Sequence, residues 1–162
     1  MTISARRTLR AAVPVSLTIV LAGLLVPIGL HLSRGRPTID DGPVAVARQE
    51  AQNFFSLDYR TGPADTQRVL DLATNPFKAD YASKRSQVQT GLTLKKLHLT
   101  ATITDNATAL EYEHGANAWV LVAVDSTTEQ AGGPSQSNHY RVRVELTRID
   151  SSWRVAQFNQ VG

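Results

Sequence analysis

The sequence predicts an α+β protein: an N-terminal transmembrane helix followed by a cone-shaped domain of about three helices packed on a curved, antiparallel sheet of about four strands. Three observations carry this. The run from Ala11 to Leu32 holds no Asp, Glu, Lys or Arg. From Val44 to Val88 apolar residues recur at helical spacing, and from Leu94 onward they recur at every second position.

The apolar run "AAVPVSLTIVLAGLLVPIGLHL" is long enough as a helix to span roughly 33 Å, against a bilayer core of about 30 Å. Pro14 falls in its first turn, where a missing N–H costs little, and Pro27 is placed to kink its last third. A cleaved secretory signal is the rival, since Arg6, Arg7 and Arg10 precede the run. Its length and the absence of a small-x-small site at its end favour an uncleaved anchor. The basic flank puts the N-terminus in the cytoplasm and the rest of the chain outside the cell membrane. The expected organisation is a cytoplasmic tail over 1–10, the transmembrane helix over 11–32, a Gly- and Pro-bearing linker over 33–43 and an extracytoplasmic cone over 44–162.

The net charge of +3 belongs to that flank, because from Val44 to Gly162 Lys and Arg balance Asp and Glu one for one. The basic pI therefore reports a membrane surface and gives no reason to expect nucleic acid. Cysteine is absent, which excludes thiolate catalysis, cysteine-based zinc sites and disulfides.

Helix one is expected from about Pro43 to Leu57 or Asp58, with Val44, Ala47, Ala51, Phe54 and Phe55 on one stripe and Asp58 in phase with it. "RTGP" ends it and places Pro63 in the first turn of helix two, about Pro63 to Thr74. "NP" at Asn75 and Pro76 breaks that helix. A third short helix follows, with Phe77, Tyr81, Lys84 and Val88 on its apolar spacing. Leu97, Leu99, Ala101 and Ile103 then alternate with polar residues, "TDNA" turns the chain, "LEYE" continues into "HGAN", read as a bend or bulge, and "AWVLVAV" reads as a central strand. Tyr140, Val142, Val144 and Leu146 alternate with His139, Arg141, Arg143 and Glu145, and a last strand carries Trp153, Val155 and Phe158. The result is an antiparallel meander covered on one face by helices.

Asp58 is the carboxylate that demands an explanation. As a catalytic base it would need a hydrophobic pocket and a tyrosine donor. As a structural anchor, with Tyr59 beside it, it would accept from backbone N–H groups near Thr61 and Gly62, or pair with Arg60 or a strand arginine. The anchor is expected, because a single inward carboxylate without a second inward ionisable group is an incomplete catalytic set. His139, Arg141 and Arg143 form a candidate docking surface, the plain alternative being a solvated outer sheet face. The four histidines lack metal-binding spacing, and no phosphate loop, dinucleotide fingerprint or nucleophile elbow occurs, so neither metal nor cofactor is expected.

"FFSLDYRT", "ATNPFKADYASK", "AWVLVAV" and the terminal "WRVAQFNQVG" resemble segments of the Mce-associated membrane proteins of actinobacteria. That resemblance covers nearly the whole chain in order. It implies a cytoplasmic tail, one membrane helix and an extracytoplasmic cone of the nuclear transport factor 2 type. It also implies a non-catalytic accessory role in the cell envelope beside Mce-type lipid or sterol import, with Mce subunits as partners and lipid left open. A similar architecture occurs in the inner-membrane cone component of type IV secretion and conjugation machines, so a channel scaffold is the alternative. A cone-fold isomerase or cyclase acting on a hydrophobic small molecule, with Asp58 as base, is the enzymatic one.

Overall fold

The structure, a computed structural model, describes residues 41–162. The expected tail, the transmembrane helix and most of the linker lie outside the described residues. Among the described residues no helix is long and apolar enough to cross a membrane.

Helix α1 runs Asp41–Phe55, so residues 41–43, expected in the linker, already form its first turn. Proline is tolerated there because the first N–H groups of a helix have no intrahelical acceptor. Ala47 and Ala51 are fully buried, and their small side chains let the helix lie against the central strand β3, Asn117–Gln130. The helix stops before Leu57 because a competing pairing takes over. The Ser56 hydroxyl accepts from Gln52 Nε2 at 2.9 Å and from the Ala101 N–H at 3.1 Å. Beyond it the chain is extended alongside β1, Leu97–Thr102. There Leu57 N–H donates to the Leu99 carbonyl at 3.1 Å, Leu99 N–H returns the bond at 2.8 Å, and Tyr59 N–H donates to the Leu97 carbonyl at 3.0 Å.

Helix α2, Gly62–Leu72, carries Pro63 in its first turn and buries Val69 and Leu70. Helix α3, Phe77–Lys95, is longer than the short helix expected. Phe77 and Tyr81 are buried as the spacing predicts, whereas Lys84 is exposed and pairs with Asp80 at 2.8 Å. The middle of α3 rests on α2 through polar groups instead. Arg85 Nε and Gln89 Nε2 donate to the buried Thr66 hydroxyl at 3.1 and 2.8 Å, and Arg85 Nη2 donates to the Pro63 carbonyl at 2.8 Å. Lys96 ends α3 in the left-handed region, with φ 49°.

The sheet has five antiparallel strands where about four were expected, because "LEYE" belongs to a strand of its own: β1, β2 Thr108–His114, β3, β4 Gln136–Ile149 and β5 Ser152–Gln160. It is not a simple meander. β3 pairs on one side with β4, and on the other with β2 from Asn117 to Val122 and with β1 from Asp125 to Gln130. Between those two stretches the Ala123 N–H donates to the Ala107 carbonyl at 2.8 Å. "HGAN" is the tight β2–β3 turn, with Gly115 at φ +60°, and the bulge falls earlier, at Glu111.

The period of two sorts the sheet cleanly. Val120, Val122, Val124, Val142, Val144, Leu146, Trp153 and Val155 face the helices and are buried. Each such side chain contributes about 1.5–3 kcal/mol on leaving water. The sheet edges are blunted. Leu57–Tyr59 covers β1, the Thr74 N–H takes the Val155 carbonyl of β5 at 2.8 Å, and bulges interrupt β2 at Glu111 and the β4–β5 pairing near Glu145.

Asp58 and the candidate docking surface

Because α1 ends at Phe55, Asp58 does not lie on the helix's core stripe. It sits in the extended stretch opposite His98 of β1. Its carboxylate accepts from the Arg60 N–H at 2.8 Å, from the Arg60 guanidinium, which reaches both oxygens, and lies 3.0 Å from His98 Nδ1. The Arg60 hydrogen bonds hold this carboxyl well below the usual carboxylate range. Arg60 also stacks over the ring of Tyr59, with Cζ 5.6 Å from the centroid. The Asp58 N–H donates in turn to Asp65 Oδ2 at 2.7 Å, and Asp65 further accepts from the Thr61 hydroxyl at 2.9 Å and pairs with Arg68 at 2.9 Å. The two carboxylates thus tie the α1–α2 turn together, while the backbone of Leu57 and Tyr59 pairs it with β1.

Asp58, Thr61, Asp65 and Arg68 line an open cleft of about 520 Å³, together with His98 and Thr100. The Thr100 hydroxyl stands 3.2 Å from His98 Nε2, so a hydroxyl, an imidazole and a carboxylate stand in sequence. Both Asp58 oxygens accept from Arg60, however, and His98 Nδ1, although 3.0 Å away, has no hydrogen-bond partner among the described residues, so the carboxylate does not orient the imidazole as a catalytic triad requires. Among the described residues no group of three His, Asp or Glu side chains is placed to hold a metal ion.

The carboxylate that does share the core face of α1 is Glu50, fully buried one position before Ala51. Neither of its oxygens has a hydrogen-bond partner among the described residues, nor does the Tyr81 hydroxyl. Burial pushes the Glu50 carboxyl from 4.5 up to about 8, with the Asn53 side chain pulling the other way. Burial, reinforced by the proximity of Glu50, pushes Tyr81 up to about 12. Glu50 is therefore an uncharged acid at neutral pH. The sequence reading missed it, although Ala47, Glu50, Ala51 and Phe54 follow the i, i+3, i+4, i+7 spacing of a core stripe.

His139, Arg141 and Arg143 all lie on β4 and face away from the helices, in register with Asp125, Ala123 and Leu121 of β3. Two of the three are engaged within the face. His139 Nδ1 is 2.6 Å from Asp125, and Arg143 grips Glu111 with bonds of 2.7 and 3.3 Å, which raises the arginine and lowers the glutamate in pKa. Arg141 is exposed, its guanidinium beside Gly162. The sequence reading did not find the aromatic part of this face. Tyr112 and Trp119 lie together with ring centroids 4.9 Å apart, 41 and 42 % exposed. The signal was the register of Trp119, which alternates with the buried Ala118, Val120, Val122 and Val124.

The fold is shared with solved structures. The periplasmic domain of DotI superposes with a TM-score of 0.63 at 18% identity, over 78% of this chain and 99% of that one. An IcmL-like type IV secretion system protein from Legionella pneumophila superposes with a TM-score of 0.62 at 12% identity, over 79% of this chain and 96% of that one. At such identities the likeness is one of fold. In sequence, the chain is 29% identical over 165 residues to the uncharacterized protein Rv1363c of Mycobacterium tuberculosis, covering 94% of this chain and 62% of the length of that relative. Residues 11–161 match the family described as uncharacterized protein Rv1363c/MT1408-like, and the chain belongs to that family.

Proposed function

We propose that this chain is a non-catalytic scaffold subunit of a cell-envelope assembly. Residues 11–32 hold it at the membrane, and the cone presents surfaces to other envelope proteins outside. The observation that carries this reading is the fold held in common with the DotI periplasmic domain and the IcmL-like secretion protein over nearly the full length of each. That likeness favours a channel of the secretion or conjugation type as the assembly. An accessory role beside Mce-type lipid import is the second reading, and it rests on the resemblance of the quoted segments.

The chemistry of the site supports binding over turnover. Both carboxylate oxygens of Asp58 are engaged by Arg60, and the inward sheet face is apolar from Ala118 to Val124 and from Val142 to Leu146. Anchoring at one membrane raises the effective concentration of the cone for its neighbours, so modest contacts suffice.

The test is crosslinking in intact cells, then affinity purification of the full-length tagged chain and mass spectrometry of its companions. Recovery of secretion- or conjugation-type channel subunits supports the first reading, and recovery of Mce subunits selects the second. Turnover of a small hydrophobic substrate that is lost in a folded Asp58→Asn variant overturns both.

A further inference from the structure

The outward face of the sheet carries exposed apolar side chains. Four large hydrophobic residues are exposed among the described residues, and three of them, Tyr112, Trp119 and Ile149, stand on this face. Strand alternation sets their direction, because Ala118, Val120 and Leu146 beside them point to the buried side. Exposed aromatics ringed by arginine and carboxylates have the composition of an interaction hot spot. Because the sheet edges are covered or bulged, a partner meets the face rather than adding a strand.

We propose that this face packs against the same face of a second copy of the chain, about a two-fold axis crossing the strands at Leu121 and Arg143. The face is self-complementary. In register across β3 and β4, Trp119 stands beside Glu145, Leu121 beside Arg143 and Ala123 beside Arg141. Trp119 and Glu145 therefore stand on one side of the Leu121–Arg143 line, and Ala123 and Arg141 stand on the other, with the Asp125–His139 pair beyond them. Turning a second copy end for end over the first lays β3 on β3 and β4 on β4. Trp119 then meets Ala123 of the second copy, whose methyl leaves room for the indole, and Glu145 meets Arg141 of the second copy, which has no carboxylate partner among the described residues. Arg143 meets its own mate at the axis, where Glu111 already neutralises each of them. A face that matches itself in this way is what an isologous contact needs. Face-to-face sheets lie about 10 Å apart, so the match holds best near the axis. The inference stands independently of which envelope assembly the chain serves.

The experiment uses the full-length chain in native membranes and exploits its lack of cysteine. A short bifunctional thiol reagent is applied to Leu121→Cys and, as a control on the exposed side of α3, to Thr90→Cys. The expected result is a covalent dimer from Leu121→Cys and none from Thr90→Cys. Adding Arg141→Glu lowers the yield roughly tenfold, and Glu145→Arg on top of it restores the dimer, as expected for a charge pair across an interface. The same charge variants without any cysteine, in detergent, are read by sedimentation velocity, so misfolding of the cysteine variant leaves no gap. A monomer in both measurements, a crosslink to a different protein, or a dimer indifferent to Arg141→Glu overturns the proposal.

Discussion

Glu50→Gln converts the buried acid into a neutral isostere, and its effect follows from a proton count. In the unfolded chain Glu50 titrates near 4.5, and in the folded chain near 8. Between those values the folded state holds a proton that the unfolded state has released, so raising the pH favours unfolding. The loss is about 1.4 kcal/mol per pH unit, on the order of 4–5 kcal/mol across the window. The contribution is fully present below about pH 4.5 and gone above about pH 8. Glutamine does not titrate, so Glu50→Gln removes this slope, and near pH 5 the two proteins differ by about 1 kcal/mol or less, since both then bury an uncharged polar group. The groups facing Glu50 are Asn53 on its own helix and Tyr81 on α3, and the sheet side opposite is apolar. Tyr81 titrates well above this window. Trp119 and Trp153 are the two tryptophans of the chain and both stand in the sheet, so their fluorescence during urea unfolding reports the cone. Stability measured at about pH 5, 6, 7 and 8 should converge at the acid end and diverge steadily in favour of Glu50→Gln toward pH 8. Parallel curves for the two proteins would refute the reasoning.

Three other perturbations are expected to behave as follows. Asp58→Asn should lower the thermal midpoint at neutral pH and flatten the acid limb, because a carboxyl held below its ordinary value stabilises the fold above that value and loses the contribution as pH falls. A thermal scan from about pH 7 down to about pH 2 tests it. Asp65→Ala removes the acceptor of the Asp58 N–H, the Thr61 hydroxyl and Arg68, and should cost about 1–3 kcal/mol by urea denaturation. Lys96→Gly should stabilise by about 1 kcal/mol, since the residue closes α3 at φ 49° and glycine reaches that region without steric cost, read as a raised thermal midpoint.

The fold was legible where a period dominated. Alternation from Leu97 to Val155 sorted inward from outward residues, and the proline and glycine breaks located all three helices. What escaped were competitions that no local pattern records. α1 yields to β1 at Ser56, since the Ala101 N–H and the Leu99 backbone offer acceptors and donors from residues more than forty positions away, and this carries Asp58 off the core stripe. The same helical spacing pointed to Glu50, but a glutamate amid "ARQEAQ" reads as a solvated helix former until its burial is seen. β3 accepts two partners on one side because it is long enough to place β2 and β1 end to end, a non-local arrangement. The docking face was legible in its charges and not in its aromatics, because Trp119 sits within an apolar run whose alternate members are core.

The most direct test of the central claim is native mass spectrometry of the full-length chain released from its own membranes. A chain that works by protein contact is released in an assembly of fixed stoichiometry, bound to other envelope subunits. A chain recovered without protein subunits, carrying a small hydrophobic molecule that it converts and that folded Asp58→Asn does not, would contradict it.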